Sequence, residues 1–187
     1  MASASATAYR LRRSVVLVGM MGSGKTAIGR SLAAILHVPF VDSDAAIEEA
    51  AALSIAEIFA RDGEAFFRRR ETEVLRRLLA GGPRIISTGG GAFLAAENRD
   101  MIARDAIAVW LDADLTTLWE RVRHKDTRPL LRTPDPKGTL SRLLDQRRDL
   151  YALAGLRLPV GGHASIDDTT QDALRLLATR PDFLETL

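Results

Sequence analysis

At 187 residues, with 47% hydrophobic and 27% charged side chains, the chain suits one globular domain, and a domain of this size buries about 70% of its unfolded surface. It has no cysteine, which excludes a disulfide framework and a zinc site of the usual kind. No uncharged apolar run approaches the roughly 20 residues that span a membrane, so no membrane partner is expected. The pI of 9.4 suggests a nucleic-acid ligand, but the net charge is only +2 and aromatics are 5% of the chain. With no basic stripe interleaved with stacking rings, no nucleic-acid partner is expected either.

Residues 1–13 (MASASATAYRLRR) read as a disordered tail, a transit peptide being the alternative. Residues 14–187 read as a single domain. Val15–Val18 is a β-branched first strand, and the following helix carries Ile28, Leu32, Ile35 and Leu36 on one stripe. Pro39–Val41 is a short strand. Helices follow near 44–52 and 54–80, the second opened by a Ser54/Glu57 capping box. Gly81-Gly82-Pro83 breaks the helix before a strand at 84–87. A helix near 94–104 precedes a strand at 106–111, and another helix starts around Asp114. Residues 123–138 carry Pro129, Pro134, Pro136 and Gly138 and read as a mobile loop. A helix near 139–153, a strand at 156–160 and a helix near 169–180 complete the chain. This alternation predicts a parallel sheet covered on both faces.

Between the first strand and first helix lies Gly19-Met20-Met21-Gly22-Ser23-Gly24-Lys25-Thr26, a full match to the phosphate-binding pattern G-x-x-x-x-G-K-[ST]. Its glycines let backbone N–H groups curl round a polyphosphate, and the helix start adds a positive dipole end. Gly22, Ser23, Gly24, Lys25, Thr26 and Ala27 are therefore the expected nucleotide-binding stretch. Lys25 reaches the β- and γ-phosphates, and the Thr26 hydroxyl suits Mg²⁺.

Other polar residues stand where the pattern does not call for them. Asp42 and Asp44 flank Ser43 at the carboxyl end of the second strand, the end where open α/β sheets bind ligands. In an extended chain both carboxylates face one side; helix capping, which Asp44 can do alone, is the competing reading. Glu71 falls inside the apolar stripe Phe67, Val74, Leu75, Leu78, three residues from Arg68. Either the two form a structural ion pair, or Glu71 aims the Arg68 fork at an anionic ligand. Arg147 lies on the stripe Leu140, Leu143, Leu144, Tyr151, where snorkelling and ligand binding compete. Thr88-Gly89-Gly90-Gly91 follows the third strand, and three glycines there suggest close approach of a ligand to the backbone. Arg128, before Pro129, stands in a lid-like context, where it can stabilise charge on a transferring phosphoryl group.

Taken together, GMMGSGKT, the Asp42–Asp44 DSD, FFRRRE at 66–71, STGGGAF at 87–93, RPLL at 128–131 and R-x-x-L-Y at 147–151 resemble shikimate kinase in order and approximate spacing, over about residues 14–180. The resemblance implies a three-layer α/β P-loop fold of the nucleoside-monophosphate-kinase kind, with a five-stranded parallel sheet, substrate-binding helices at about 43–80 and a mobile lid at about 123–138. It implies phosphorylation of the 3-hydroxyl of shikimate by ATP, on the chorismate route to aromatic amino acids, in a cytoplasmic monomer. By position, Lys25 and Thr26 match the phosphate and Mg²⁺ residues, and Asp42 the second magnesium-side carboxylate. Asp44, Arg68, Gly90, Gly91 and Arg147 match shikimate-binding residues. Arg128 matches the lid arginine, and Arg121 the residue that packs on adenine, with Arg123 close by. Lys25, Asp44 and Arg128 are thus the expected catalytic set. The chain departs from the family at Asp149, where proline is usual, and residues 156–168 align poorly. A kinase for another sugar acid such as gluconate, and a non-enzymatic nucleotide-binding module, are the competing readings.

Overall fold

A computed structural model describes residues 8–124 and 129–187. Arg128, with residues 125–127 of the expected lid, lies outside the described residues. The chain runs β1 (Tyr9–Leu11), β2 (Ser14–Val18), α1 (Lys25–Leu36), β3 (Phe40–Asp42), α2 (Ser43–Ala51), α3 (Ile55–Ala80), β4 (Ile85–Ser87), α4 (Ala96–Asp105), β5 (Ala106–Ala113), α5 (Leu115–Val122), α6 (Pro136–Tyr151), β6 (Leu156–Val160), α7 (Ile166–Ala178) and β7 (Leu184–Thr186). Short 3₁₀ turns occupy Ala92–Leu94 and Pro129–Leu131.

Five strands form a parallel sheet in the order β3-β4-β2-β5-β6. Every residue of β2 and β5 is buried, as expected of parallel strands covered on both faces. From central β2 the chain crosses through α1 to β3 on one side, and from β4 it crosses back through α4 to β5 on the other. Right-handed crossovers then place α1 on one face and α3 and α4 on the other. α7 packs on α1, and α3 on α4. The reversal leaves a crevice at the carboxyl ends of the strands, which is where ligands settle in such sheets. The main core spans sheet and helices, while Ile47, Ile58, Phe67 and Val74 form a second, smaller cluster that ties α2 to α3.

Several elements differ from the sequence reading. Residues 9–11, assigned there to a disordered tail, form β1, which pairs antiparallel with β7: Leu11 stands opposite Leu184 and Tyr9 opposite Thr186. Arg12 pairs with Glu185 at 2.9 Å, and Leu11 and Leu184 are both buried. The α1 stripe is rotated, so that Ile35 is exposed while Gly29 and Ala33 are buried. A Cβ on Gly29 would lie 2.7 Å from the Phe40 ring and 3.1 Å from Leu17; the small residues let the helix sit close to the sheet, and that turns Ile35 outward. α3 has its Ser54/Glu57 capping box but breaks at Gly63, whose φ of 79° favours glycine. α6 begins at Pro136, capped by Asp135, so the last residues of the expected loop are helical. No helix among the described residues is long and apolar enough to cross a membrane.

The β1–β7 pair fastens the two ends of the chain together across the edge of the core. Leu11→Ala should lower unfolding stability by about 2 kcal/mol, the lower end for a buried leucine near a terminus, as read by denaturant titration. A variant as stable as the parent would mean that β1 contributes no packing.

Candidate active site

The carboxyl ends of β2, β3 and β4 deliver two loops and the start of α2 to one cleft of about 470 Å³. After β2, the loop from Gly19 to Gly24 turns through three positive φ values, at Gly19, Gly22 and Gly24. A Cβ at Gly22 would lie 2.7 Å from Val122, so the loop is pressed against α5 as well as bent. α1 opens at Lys25 with no side chain capping its first turn, which leaves that turn's N–H groups to an anion. Lys25 folds back over the loop, its Nζ donating to the Gly19 and Met20 carbonyls at 2.8 and 2.9 Å. Arg121 reaches over the same loop. Its guanidinium donates to Gly22 O at 3.3 Å and to Gly161 O at 3.4 Å, joining the loop to the segment after β6. Arg123, the neighbour that competes with it in sequence, instead pairs with exposed Glu120.

At the end of β3 the cap is not the residue that the competing reading named. Asp42, not Asp44, caps α2: its Oδ1 accepts from the N–H groups of Asp44 and Ala45 at 3.0 and 3.3 Å. Its other oxygen accepts from the Thr26 hydroxyl at 3.2 Å. Asp44 is helical, so the extended-chain reason for a shared direction does not hold. Both still line the cleft, because one ends the strand and the other opens the helix. No group of three or more His, Cys, Asp or Glu that would hold a metal occurs among the described residues. The Thr26–Asp42 pair nevertheless fits Mg²⁺, which takes one or two protein oxygens and completes its shell with phosphate and water.

The loop after β4 gathers the remaining candidates. A Cβ on Gly89 would lie 2.6 Å from Asp44 Oδ1, one on Gly90 3.2 Å from Arg147 Nη1, and one on Gly91 2.5 Å from Arg68 Nη1. Three consecutive glycines thus each meet one candidate substrate residue, from α2, α6 and α3. Thr88 holds the loop to β2, its hydroxyl donating to Leu17 O at 3.0 Å.

Arg68 is held in turn. Nη1 donates to Glu71 Oε2 at 2.9 Å, and Nη2 to Glu64 Oε1 at 3.2 Å. Burial works against its charge, but the carboxylates of Glu71 and Glu64 outweigh it and raise the guanidinium pKa. The Glu71 side chain is only 2% exposed. Burial pushes its pKa up, with Asp44 and Glu64 adding to the push, while Arg68 pulls it down. Its Oε1 is buried without a hydrogen-bond partner, so only one of its two oxygens is compensated.

Sequence reasoning missed the far wall of the cleft, made by Val160, Ala164, Ser165, Ile166 and Thr169. All but Thr169 fall in residues 156–168, the segment that aligns poorly, and nothing in their chemistry marks them.

The family model described as shikimate kinase matches residues 21–177. A shikimate kinase of Ruegeria pomeroyi is 59% identical, over 95% of this chain and 91% of its own length. One from Cereibacter sphaeroides is 57% identical, over 95% and 88%. The chain belongs to the shikimate kinase family. Among solved structures, a shikimate kinase from Acinetobacter baumannii in complex with shikimate superposes with a TM-score of 0.85 at 36% identity, covering 90% of this chain and 94% of that one. The protein is therefore a kinase with ATP as co-substrate, and membership in this family disfavours the gluconate reading.

The packing of Gly91 on Arg68 links stability to function. The Arg68 guanidinium is held by Glu71 and Glu64, so the Cβ of Gly91→Ala should strain the buried pair and lower unfolding stability by about 1–3 kcal/mol. It should also displace the fork and raise the shikimate Michaelis constant roughly tenfold, as loss of one charge-assisted contact would. Steady-state kinetics beside a denaturant titration reads both.

Proposed function

We propose that this cleft transfers the γ-phosphoryl group of ATP to the 3-hydroxyl of shikimate, yielding shikimate 3-phosphate on the chorismate route. The observation that carries the reading is the meeting of Asp44, Arg147 and Arg68 on three consecutive glycines, of which Gly89 and Gly90, together with Asp44, line the same cleft as the phosphate loop. One carboxylate and two guanidiniums are the complement of a ligand that offers hydroxyls and a carboxylate. Arg68 and Arg147 come from different helices and can grip that carboxylate from two sides. Asp44 accepts from the ring hydroxyls and receives the proton of the attacking one.

On the donor side, Gly22 to Ala27 cradle the phosphates. Lys25 exchanges its two loop carbonyls for phosphate oxygens, and Arg121 packs on the adenine. Thr26 and Asp42 are the residues that would hold Mg²⁺, which when bound neutralises charge on the β- and γ-phosphates. Arg128 supplies further positive charge to the transferred group by the family resemblance. Little covalent chemistry falls to the protein, so its contribution is to hold donor and acceptor in line and to stabilise equatorial charge. Residues 14–187 act as one kinase domain in this reading.

Turnover coupled to ADP release, with shikimate and a panel of sugar acids including gluconate, tests the assignment. Shikimate should be the substrate turned over; preference for another acid, or no turnover of any, would reject it. Lys25→Ala should lower kcat roughly hundred- to thousandfold, as removal of one preorganised donor does, and near-normal turnover would remove the role given to the lysine. Arg147→Ala should raise the shikimate Michaelis constant by about tenfold or more through loss of a charge-assisted pair, and change that for ATP much less. Equal effects on both substrates would make Arg147 a packing residue.

A further inference from the structure

Tyr151 closes α6 and is the last residue of the R-x-x-L-Y stretch, yet the reaction as described gives it no part. It is fully buried, and its hydroxyl lies between the triple-glycine loop, Met20 of the phosphate loop and Arg147. It donates to the Gly90 carbonyl at 2.5 Å. It lies 3.8 Å from Sδ of Met20, whose own carbonyl accepts from Lys25. The Arg147 guanidinium is its neighbour, since a Cβ on Gly90 would meet Arg147 Nη1 at 3.2 Å and the Tyr151 hydroxyl at 3.7 Å. Burial pushes the phenol pKa up, with Arg147 pulling the other way; it stays protonated, and so a donor, at neutral pH.

The ring is also held from behind. Tyr151 stacks on Trp110, with centroids 6.2 Å apart and planes at 28°. The guanidiniums of Arg157 and Arg148 lie over Trp110 at 5.3 and 5.9 Å. Both arginines are tied to buried Asp112, Arg157 through two bonds of 2.8 and 2.5 Å and Arg148 at 3.5 Å. A chain of contacts thus runs from the edge of β5 and β6 to the hydroxyl. Any buried phenol finds a partner for its hydroxyl; what singles out this one is that its neighbours are the Gly90 carbonyl and the Arg147 guanidinium.

We infer that Tyr151 is a positioning residue for the acceptor substrate: its hydroxyl fixes the Gly90 carbonyl and the Arg147 fork relative to the phosphate loop. The inference rests on the shikimate reading of the site. Tyr151→Phe keeps the ring and its stack on Trp110 and removes one oxygen. The shikimate Michaelis constant should rise roughly tenfold and that for ATP by less than about twofold, while the unfolding midpoint falls by only about 2–4 °C.

Adding Arg147→Ala separates the routes. If the hydroxyl acts through Arg147, the tyrosine substitution should cost less than about threefold in the Arg147→Ala background, because coupled residues are not additive. An unchanged shikimate constant in Tyr151→Phe overturns the inference. So does a parallel rise for both substrates, full additivity in the double variant, or loss of folding, since each makes the hydroxyl an ordinary structural bond. If Arg147→Ala alone leaves shikimate binding intact, the substrate reading itself fails, and that result is distinct from all of these.

Discussion

Everything at the acceptor side of the cleft depends on a backbone without side chains at Gly89, Gly90 and Gly91. A carboxylate and two guanidiniums approach these residues closely enough that any Cβ would lie 2.5 to 3.2 Å from a charged atom. None of the three glycines has the positive φ seen elsewhere in the chain, so they are required by space and not by backbone conformation. The consequence is geometric. Asp44 on α2, Arg68 on α3 and Arg147 on α6 share no local sequence, and the loop lets them converge without separating them by packing volume. The phosphate loop uses glycine differently, for three positive-φ positions that bend the backbone between β2 and α1.

The sheet supplies the frame for this convergence. Phosphate loop, capping aspartate and triple-glycine loop all leave the carboxyl ends of adjacent strands, and the register of β2, β3 and β4 sets their relative heights. α2 and α3 carry a small core of their own, and α3 is interrupted at Gly63. The acceptor-side helices are therefore a semi-independent unit resting on the main core. Asp42 joins the two sides, since one oxygen holds the start of α2 and the other faces Thr26 of α1.

Most of the sheet was legible in the sequence because buried parallel strands and amphipathic helices write their periods into it. The candidate site positions stood out in the sequence where a residue type was out of place, such as a lysine in a glycine turn, a carboxylate on an apolar stripe, or three glycines in a row. What escaped has physical reasons. The pairing of Tyr9 with Thr186 joins opposite ends of the chain, and no local pattern encodes it. The outward turn of Ile35 follows from Gly29 meeting Phe40, a tertiary contact that overrides the helical stripe. Asp42 and Asp44 are equally good caps by type, and only the point at which β3 gives way to α2 decides between them. The wall from Ala164 to Thr169 is shape without distinctive chemistry.

Glu71 shows how this arrangement is held together at a cost. A carboxylate 2% exposed, with one oxygen unpartnered and Asp44 adding to the push on its pKa, is a poor choice for stability alone. Replacing a buried ion pair by apolar residues is often neutral or stabilising. What the pair supplies is direction: with Glu71 on Nη1 and Glu64 on Nη2, the guanidinium of Arg68 is fixed on two sides and its plane is set against Gly91. A planar fork recognises a carboxylate only when its plane is set beforehand. If Arg68 grips the substrate carboxylate as proposed, the buried charge serves substrate geometry more than folding, and on the same proposal the buried phenol beside Arg147 takes the place of the glutamate.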